Sequence, residues 1–298
     1  MMAAPAAETH MAGTSVVLVH GMWSRLQTWG ETPQLLQSMG ATVLPYELPQ
    51  HGARFDSERE LARLGIDDYV DDLVAFLRRQ ASPPLLVGHS MGALLALLAA
   101  ARAPVQALIM VSPAPPRGGV LWSLGNLLCL LRPGLKQLAG WRAFGLYRWE
   151  RDFLLYNTVP TALRPALAAG LQKESGKALA QIAFWPFDPT RATRVDWSAV
   201  RCPVSVYLGS EDRVVPAYAA RVLRRLPKAT LHLEDGLGHM VFDGPQRSRF
   251  FSWLRAEVLR LAAVQPAVGP GLILLCHKLH NTILSIFLWG IDECSRAL

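Results

Sequence analysis

The chain has 298 residues, 51% hydrophobic and 18% charged, which is enough apolar material for a sizeable core and excludes wholesale disorder. Its net charge is +7 at pH 7, yet no Lys or Arg run forms a nucleic-acid patch. No zinc-finger, RNP or helix-turn-helix signature is present either, so no nucleic-acid partner is expected.

Cys129, Cys202, Cys276 and Cys294 are far apart and form no C-x-x-C pair, so they read as reduced thiols of a cytoplasmic protein. The opening MMAAPAAETHMAGTS lacks the basic and apolar regions of a secretory signal, and Met1 and Met11 are both candidate starts.

VVLVH (16–20) is a short apolar run broken by Gly21, the pattern of a strand buried on both faces. A helix is predicted over 31–39 and a strand over 41–48. In 65–80, Ile66, Tyr69, Val70, Leu73, Phe76 and Leu77 recur at helical spacing, with acids early and arginines late, as the helix dipole prefers. Strand 84–88, helix 91–102 and strand 106–113 follow. The alternation resumes with strand 203–210, a helix over 217–225, a strand at 229–235 and a helix across 245–262. This order predicts an α/β fold: a mostly parallel central sheet covered by helices on both faces, with right-handed crossovers.

Residues 114–190 break the rhythm with apolar helical windows at 120–131 and 161–172 and no clear strand. The expected organisation is a core of 14–113 and 191–262, a helical lid of 114–190 inserted into it, and a linker and tail of 263–298.

VGHSMGALLALLAA (87–100) places Ser90 between two glycines where a strand becomes a helix. A serine hydroxyl is a weak nucleophile that needs a base, and the base needs a third group to orient it. A strained strand-to-helix turn exposes such a serine, and the helix N-terminus below it puts the Met91 amide where an oxyanion would develop. A helix N-cap would account for Ser90 but not for the paired glycines.

A second oxyanion donor is expected after VVLVH, where the first free amide beyond Gly21 is that of Met22. His20 reads as a structural histidine bonding the loop backbone. The acid is expected after a later strand, where YLGSEDRVVP offers Asp212, with Glu211 as the alternative. The base is expected last, and GLGHMVF supplies His239 in a glycine-flanked loop. The order Ser90, Asp212, His239 is one of the known triad orders.

The segments VVLVHGMW, ELPQHG, VGHSMGALLA, YLGSEDRVVP and GLGHMVF resemble the landmarks of the α/β-hydrolase fold family, in its branch of esterases, lipases and cofactor-free haloperoxidase-like enzymes. The resemblance spans about residues 14 to 262 and is weak through 114–190. It implies Ser90 as nucleophile, Asp212 as acid, His239 as base, the Met22 and Met91 amides as oxyanion hole, and residues 114–190 as the lid. Ala93 stands where many relatives have a second glycine, and ELPQHGA lacks the glycine that many place before the histidine, so no role passes to His51. A serine at the elbow argues against the dehalogenases of this fold, which use aspartate there. No metal, P-loop or dinucleotide motif is present, and no cofactor is expected.

The expected reaction is hydrolysis of a carboxylic ester, and an apolar insertion favours an apolar acyl or alcohol chain. Trp23, Trp122 and Trp185 are the candidate substrate contacts, with Phe144, Phe153 and Phe184 near the expected pocket mouth. The basic insertion residues Arg117, Arg132, Lys136, Arg142, Arg148 and Arg151 read as a solvated face. The same triad would serve a thioesterase, an acyltransferase or a carbon–carbon bond hydrolase, and a ligand-binding member without turnover is the alternative from another class.

Residues 272–291 are apolar but interrupted centrally by Lys278 and its neighbours. On a helix, His277, Lys278, Asn281 and Ser285 share a face opposite Leu275, Leu279, Ile283 and Ile286, which fits an amphipathic helix rather than a span. It is expected to pack on the body, to pair with a second copy, or to associate peripherally with a membrane.

Overall fold

The computed structural model describes residues 11–120 and 140–263. The amino-terminal part alternates strand and helix: β1 (Ser15–Val19), α1 (Thr32–Ser38), β2 (Thr42–Leu44), α2 (Glu58–Arg63), α3 (Ile66–Arg78), β3 (Leu85–His89), α4 (Met91–Ala100) and β4 (Ala107–Val111). An intervening segment carries β5 (Ala143–Phe144), α5 (Arg148–Leu154), α6 (Arg164–Ala168), β6 (Glu174–Ser175) and α7 (Gly176–Ala183). The alternation then returns with β7 (Val204–Gly209), β8 (Ala229–Glu234) and α8 (Arg247–Ala263). One compact unit runs to Leu259, and the described part of the second, Arg260–Ala263, is the end of α8.

Six strands form one parallel sheet in the order β2-β1-β3-β4-β7-β8. The inner strands β3, β4 and β7 are buried throughout, which is why their sequences read as continuous apolar runs rather than alternating ones. On α3 the buried residues are Ile66, Tyr69, Val70, Leu73, Val74 and Leu77, an apolar stripe at helical spacing. Its first turn is closed by Asp68, whose carboxylate accepts from the Gly65 amide at 2.7 Å. All ten residues of α4 are buried; it has no polar face because it packs on α3 as well as on β1, β3 and β4.

Several elements depart from expectation. The strand over 41–48 shrinks to Thr42–Leu44, where Pro45 follows without an amide to continue the ladder. The helix over 217–225 is present as 3-10 turns, Ala217–Arg225. In the segment expected to lack strands, Ala143–Phe144 and Glu174–Ser175 pair antiparallel. The helix over 161–172 is confined to Arg164–Ala168, with Pro165 in its first turn and Gly170 just beyond its end. The helical window at 120–131, apart from Val120, and the amphipathic helix in the tail lie outside the described residues. Among the described residues no helix is long and apolar enough to cross a membrane.

Candidate active site

Parallel strands place the loops after their carboxyl ends along one edge of the sheet, where ligands of such folds bind. Four of those loops carry the residues singled out from sequence: Met22 after β1, Ser90 after β3, Asp212 after β7 and His239 after β8.

Ser90 sits on the turn from β3 into α4 with φ 53° and ψ −122°, a left-handed conformation costing about 1 to 3 kcal/mol in a non-glycine residue. The surroundings hold it there: its amide donates to the Val111 carbonyl at 2.9 Å, and its carbonyl accepts from the Ala114 amide at 3.0 Å. The elbow needs glycine at 92, since a Cβ there would lie 2.2 Å from the Val19 carbonyl oxygen. At Gly21 a Cβ would lie 2.9 Å from Ser90 Cβ, so the Gly21–Met22 segment runs directly against the serine. Among the described residues neither the Met22 nor the Met91 amide donates to a backbone carbonyl.

Asp212 and His239 meet. Asp212 is 6% exposed and His239 2%, and His239 Nδ1 lies 2.8 Å from Asp212 Oδ2. The other carboxylate oxygen, Oδ1, accepts from the Val214 and Val215 amides at 2.9 and 2.8 Å. A carboxylate only accepts, so the proton of a neutral His239 is on Nδ1 and Nε2 keeps its lone pair. Glu211, the alternative acid, has an exposed side chain.

His89, unmarked by the sequence reading, packs its ring 4.7 Å from that of His239. Burial, followed by the nearby His239, holds its pKa far below the ordinary value. It is therefore neutral, and its Nε2–H donates to the His239 carbonyl at 3.1 Å. This contact ties the His239 loop to the end of β3, one residue before Ser90.

Ser90, Met22 and Met91 line one cavity with Trp23, Ala114, Leu154, Leu179, Ile182, Val214 and Val215. Its empty volume, the open mouth included, is about 530 Å³. Apart from the Ser90 hydroxyl and the Trp23 indole nitrogen, the lining side chains are apolar. Trp23, itself at φ 59°, is set edge-on to Phe144 at 5.7 Å. Trp185 is not among the lining residues: its indole N–H donates to the Gly119 carbonyl at 2.8 Å and its ring lies under the Arg117 guanidinium, 4.9 Å away. Trp122 lies outside the described residues. Leu154, Leu179 and Ile182, from α5 and α7, escaped sequence reading because only the tertiary fold turns them towards Ser90.

The loops around Met22 are braced by two buried histidines. His20 contacts the Gly21 carbonyl through Nδ1 at 3.1 Å, the structural role expected of it, and burial holds its pKa below the ordinary value. His51, wholly buried, pairs with the wholly buried Glu174 at 3.1 Å. Glu174 also accepts from the Tyr69 hydroxyl at 2.8 Å and from the Ser175 amide at 2.7 Å. Burial alone would lower the His51 pKa, but the Glu174 carboxylate outweighs it and the net shift is upward. Burial would raise Glu174, but His51 and the two hydrogen bonds leave it lowered.

A raised histidine stabilises the fold fully below its ordinary 6.5 and loses that contribution as pH rises through its folded value. A lowered carboxylate contributes fully above 4.5 and loses it as pH falls through its own folded value. Replacing Glu174 by glutamine is therefore expected to cost about 3 kcal/mol at mildly acidic pH, where the wild-type pair is ionised and the variant loses it. The gap from wild type should narrow as pH rises through the folded value of His51, where the wild-type pair loses its charge on the imidazole. Denaturant unfolding across pH 4 to 9, values chosen to bracket both ordinary pKa values, measures it; a gap independent of pH would show that the pair is not ionic.

A parallel sheet with a strained serine turn and an aspartate–histidine pair at its carboxyl edge defines the class of the protein as a hydrolase fold. Residues 16–250 match the alpha/beta hydrolase family, and the chain belongs to it. It is 26% identical over 246 residues to the monoacylglycerol lipase of Mycolicibacterium smegmatis, covering 78% of this chain and 83% of that protein. It is also 26% identical over 242 residues to the magnesium-chelatase 30 kDa subunit of Rhodobacter capsulatus, covering 78% and 82%. Among solved structures, the monoacylglycerol lipase of Paleococcus ferrophilus superposes with a TM-score of 0.60 at 20% identity, covering 85% of this chain and 96% of that one.

Proposed function

We propose that the chain is a serine hydrolase that cleaves carboxylic esters with an apolar acyl chain through an acyl-enzyme on Ser90. The observation that carries this reading is the convergence of the serine turn, the Asp212–His239 hydrogen bond of 2.8 Å and an apolar cavity on one sheet edge. Relatives named as monoacylglycerol lipases, which share its fold, support it.

In this mechanism His239 Nε2 takes the proton of Ser90 as Oγ attacks the ester carbonyl, and the Met22 and Met91 amides hold the oxyanion. The carbon–oxygen bond to the alcohol breaks, and the alcohol leaves with the proton from His239. A water then gives a proton to His239 and attacks the acyl-enzyme, releasing the carboxylic acid and restoring Ser90. Asp212 keeps His239 in the Nδ1–H tautomer throughout.

Extending the acyl chain of a p-nitrophenyl ester is expected to raise kcat/KM by about fourfold per methylene, from ~0.8 kcal/mol of burial each, until the cavity is filled. A series from acetate to palmitate measures this, and a preference for acetate would overturn the apolar-chain assignment.

A second reading, a member that binds an apolar ligand without turnover, is favoured by one observation. A relative of equal identity is named as a magnesium-chelatase subunit and not as a hydrolase. Slow single acylation of Ser90 without release of product would select that reading.

A further inference from the structure

We infer that Asn157 and Thr158, in the segment between β4 and β7, are positioning residues that hold the Asp212 and His239 loops in register for the ester hydrolysis proposed above, on which this inference rests. The Leu237–Gly238 peptide unit immediately precedes His239. Its carbonyl accepts from the Glu211 amide at 2.9 Å, and its amide donates to Thr158 Oγ1 at 3.1 Å. The Glu211 carbonyl, immediately before Asp212, accepts from Asn157 Nδ2 at 2.8 Å. The residues preceding the acid and the base are thus bonded to each other and both to one dipeptide. Gln246 adds a third tie, donating from Nε2 to Thr158 Oγ1 at 2.8 Å.

The approach is close as well as bonded. A Cβ on Gly238 would lie 2.6 Å from Thr158 Oγ1 and 2.8 Å from Asn157 Oδ1, so only glycine lets the dipeptide reach the loop. The dipeptide is itself anchored: Leu155, Tyr156 and Val159 around it are 3%, 1% and 2% exposed, and the Val159 amide donates to the Tyr156 carbonyl at 3.0 Å. Just upstream, Leu154 lines the cavity beside Ser90. One short stretch of the inserted segment therefore forms a wall of the pocket and a staple across the loops of the acid and the base.

The staple acts on geometry. Asp212 and His239 stand on separate strand-end loops, and their 2.8 Å hydrogen bond requires both loops in place. A displacement of about 1 Å at such a site costs on the order of 100-fold in rate.

The test is Thr158→Val, which keeps the shape and removes the acceptor, beside Thr158→Ser, which retains it. Thr158→Val is expected to lower kcat by about 10- to 100-fold with KM near the wild-type value. Fluorophosphonate labelling should slow in parallel, and the low-field proton NMR signal of His239 Nδ1–H should broaden. Thr158→Ser should restore all three, with circular dichroism unchanged throughout.

If Thr158→Val does not fold, Asn157→Ala, which removes the Glu211 bond from a part-exposed side chain, is expected to act in the same direction and decides. Wild-type kcat and labelling with an intact low-field signal in the folded variant would overturn the inference. If the wild type itself neither hydrolyses esters nor labels, the ester-hydrolase reading fails alone, and the low-field signal, altered or not by Thr158→Val, still decides for or against the staple.

Discussion

Replacing Ser90 by alanine is expected to lower ester turnover by about a million-fold and to abolish covalent labelling by a fluorophosphonate, with the fold retained. The size of the effect follows from the loss of the covalent route: without Oγ no acyl-enzyme forms, and only binding and the oxyanion amides remain to assist water. The fold should survive because the bonds that hold the turn are all main-chain. The Ser90 amide still reaches Val111 and its carbonyl still receives Ala114. Alanine is no bulkier than serine at a backbone φ of 53°. Turnover, labelling and a thermal melt, measured together, check this. Labelling that persists in a folded variant would place the nucleophile elsewhere.

Asp212→Asn is expected to lower kcat by about 10⁴-fold, and the hydrogen bonds of the carboxylate give the reason. Oδ1 accepts from the Val214 and Val215 amides, so an asparagine must put its oxygen there. Its NH₂ then faces His239 Nδ1, where the carboxylate oxygen stood at 2.8 Å. A donor in that position drives the imidazole proton to Nε2, the nitrogen that must accept from Ser90. Glu211→Gln should leave turnover near wild type, because the Glu211 side chain is exposed. If the large loss follows Glu211→Gln instead, the acid is misassigned. Comparing kcat of both variants on one ester separates the two cases.

The order of strands and helices was legible in the chain because each inner strand is buried on both faces and the amphipathic α3 has one buried stripe. The candidate nucleophile was legible for a local reason: a strand, a glycine-flanked serine and an apolar helix are contiguous in VGHSMGALLALLAA. Asp212 and His239 were legible only as loop residues after strands, with Glu211 competing for the same role. A carboxylate beside a strand end carries no sign of which way it points. The hydrogen bond to His239 and the two amides on Oδ1 belong to Asp212.

The segment between β4 and β7 was the least legible, because its residues pack by contacts far apart in sequence. Trp185, a candidate substrate contact, bonds Gly119 under Arg117, while Leu154, Leu179 and Ile182 line the cavity. Glu174 in this segment pairs with His51, 123 positions away in sequence, and nothing local to either residue announces it.

By itself the sequence determined the α/β alternation and the strand-end residues, since burial period and turn chemistry act over a few neighbouring positions. Only the tertiary structure decided which carboxylate meets His239, which side chains wall the cavity, and that Asn157 and Thr158 reach both loops. Those contacts depend on where separate loops arrive at the sheet edge, and that is set by the packing of the whole chain.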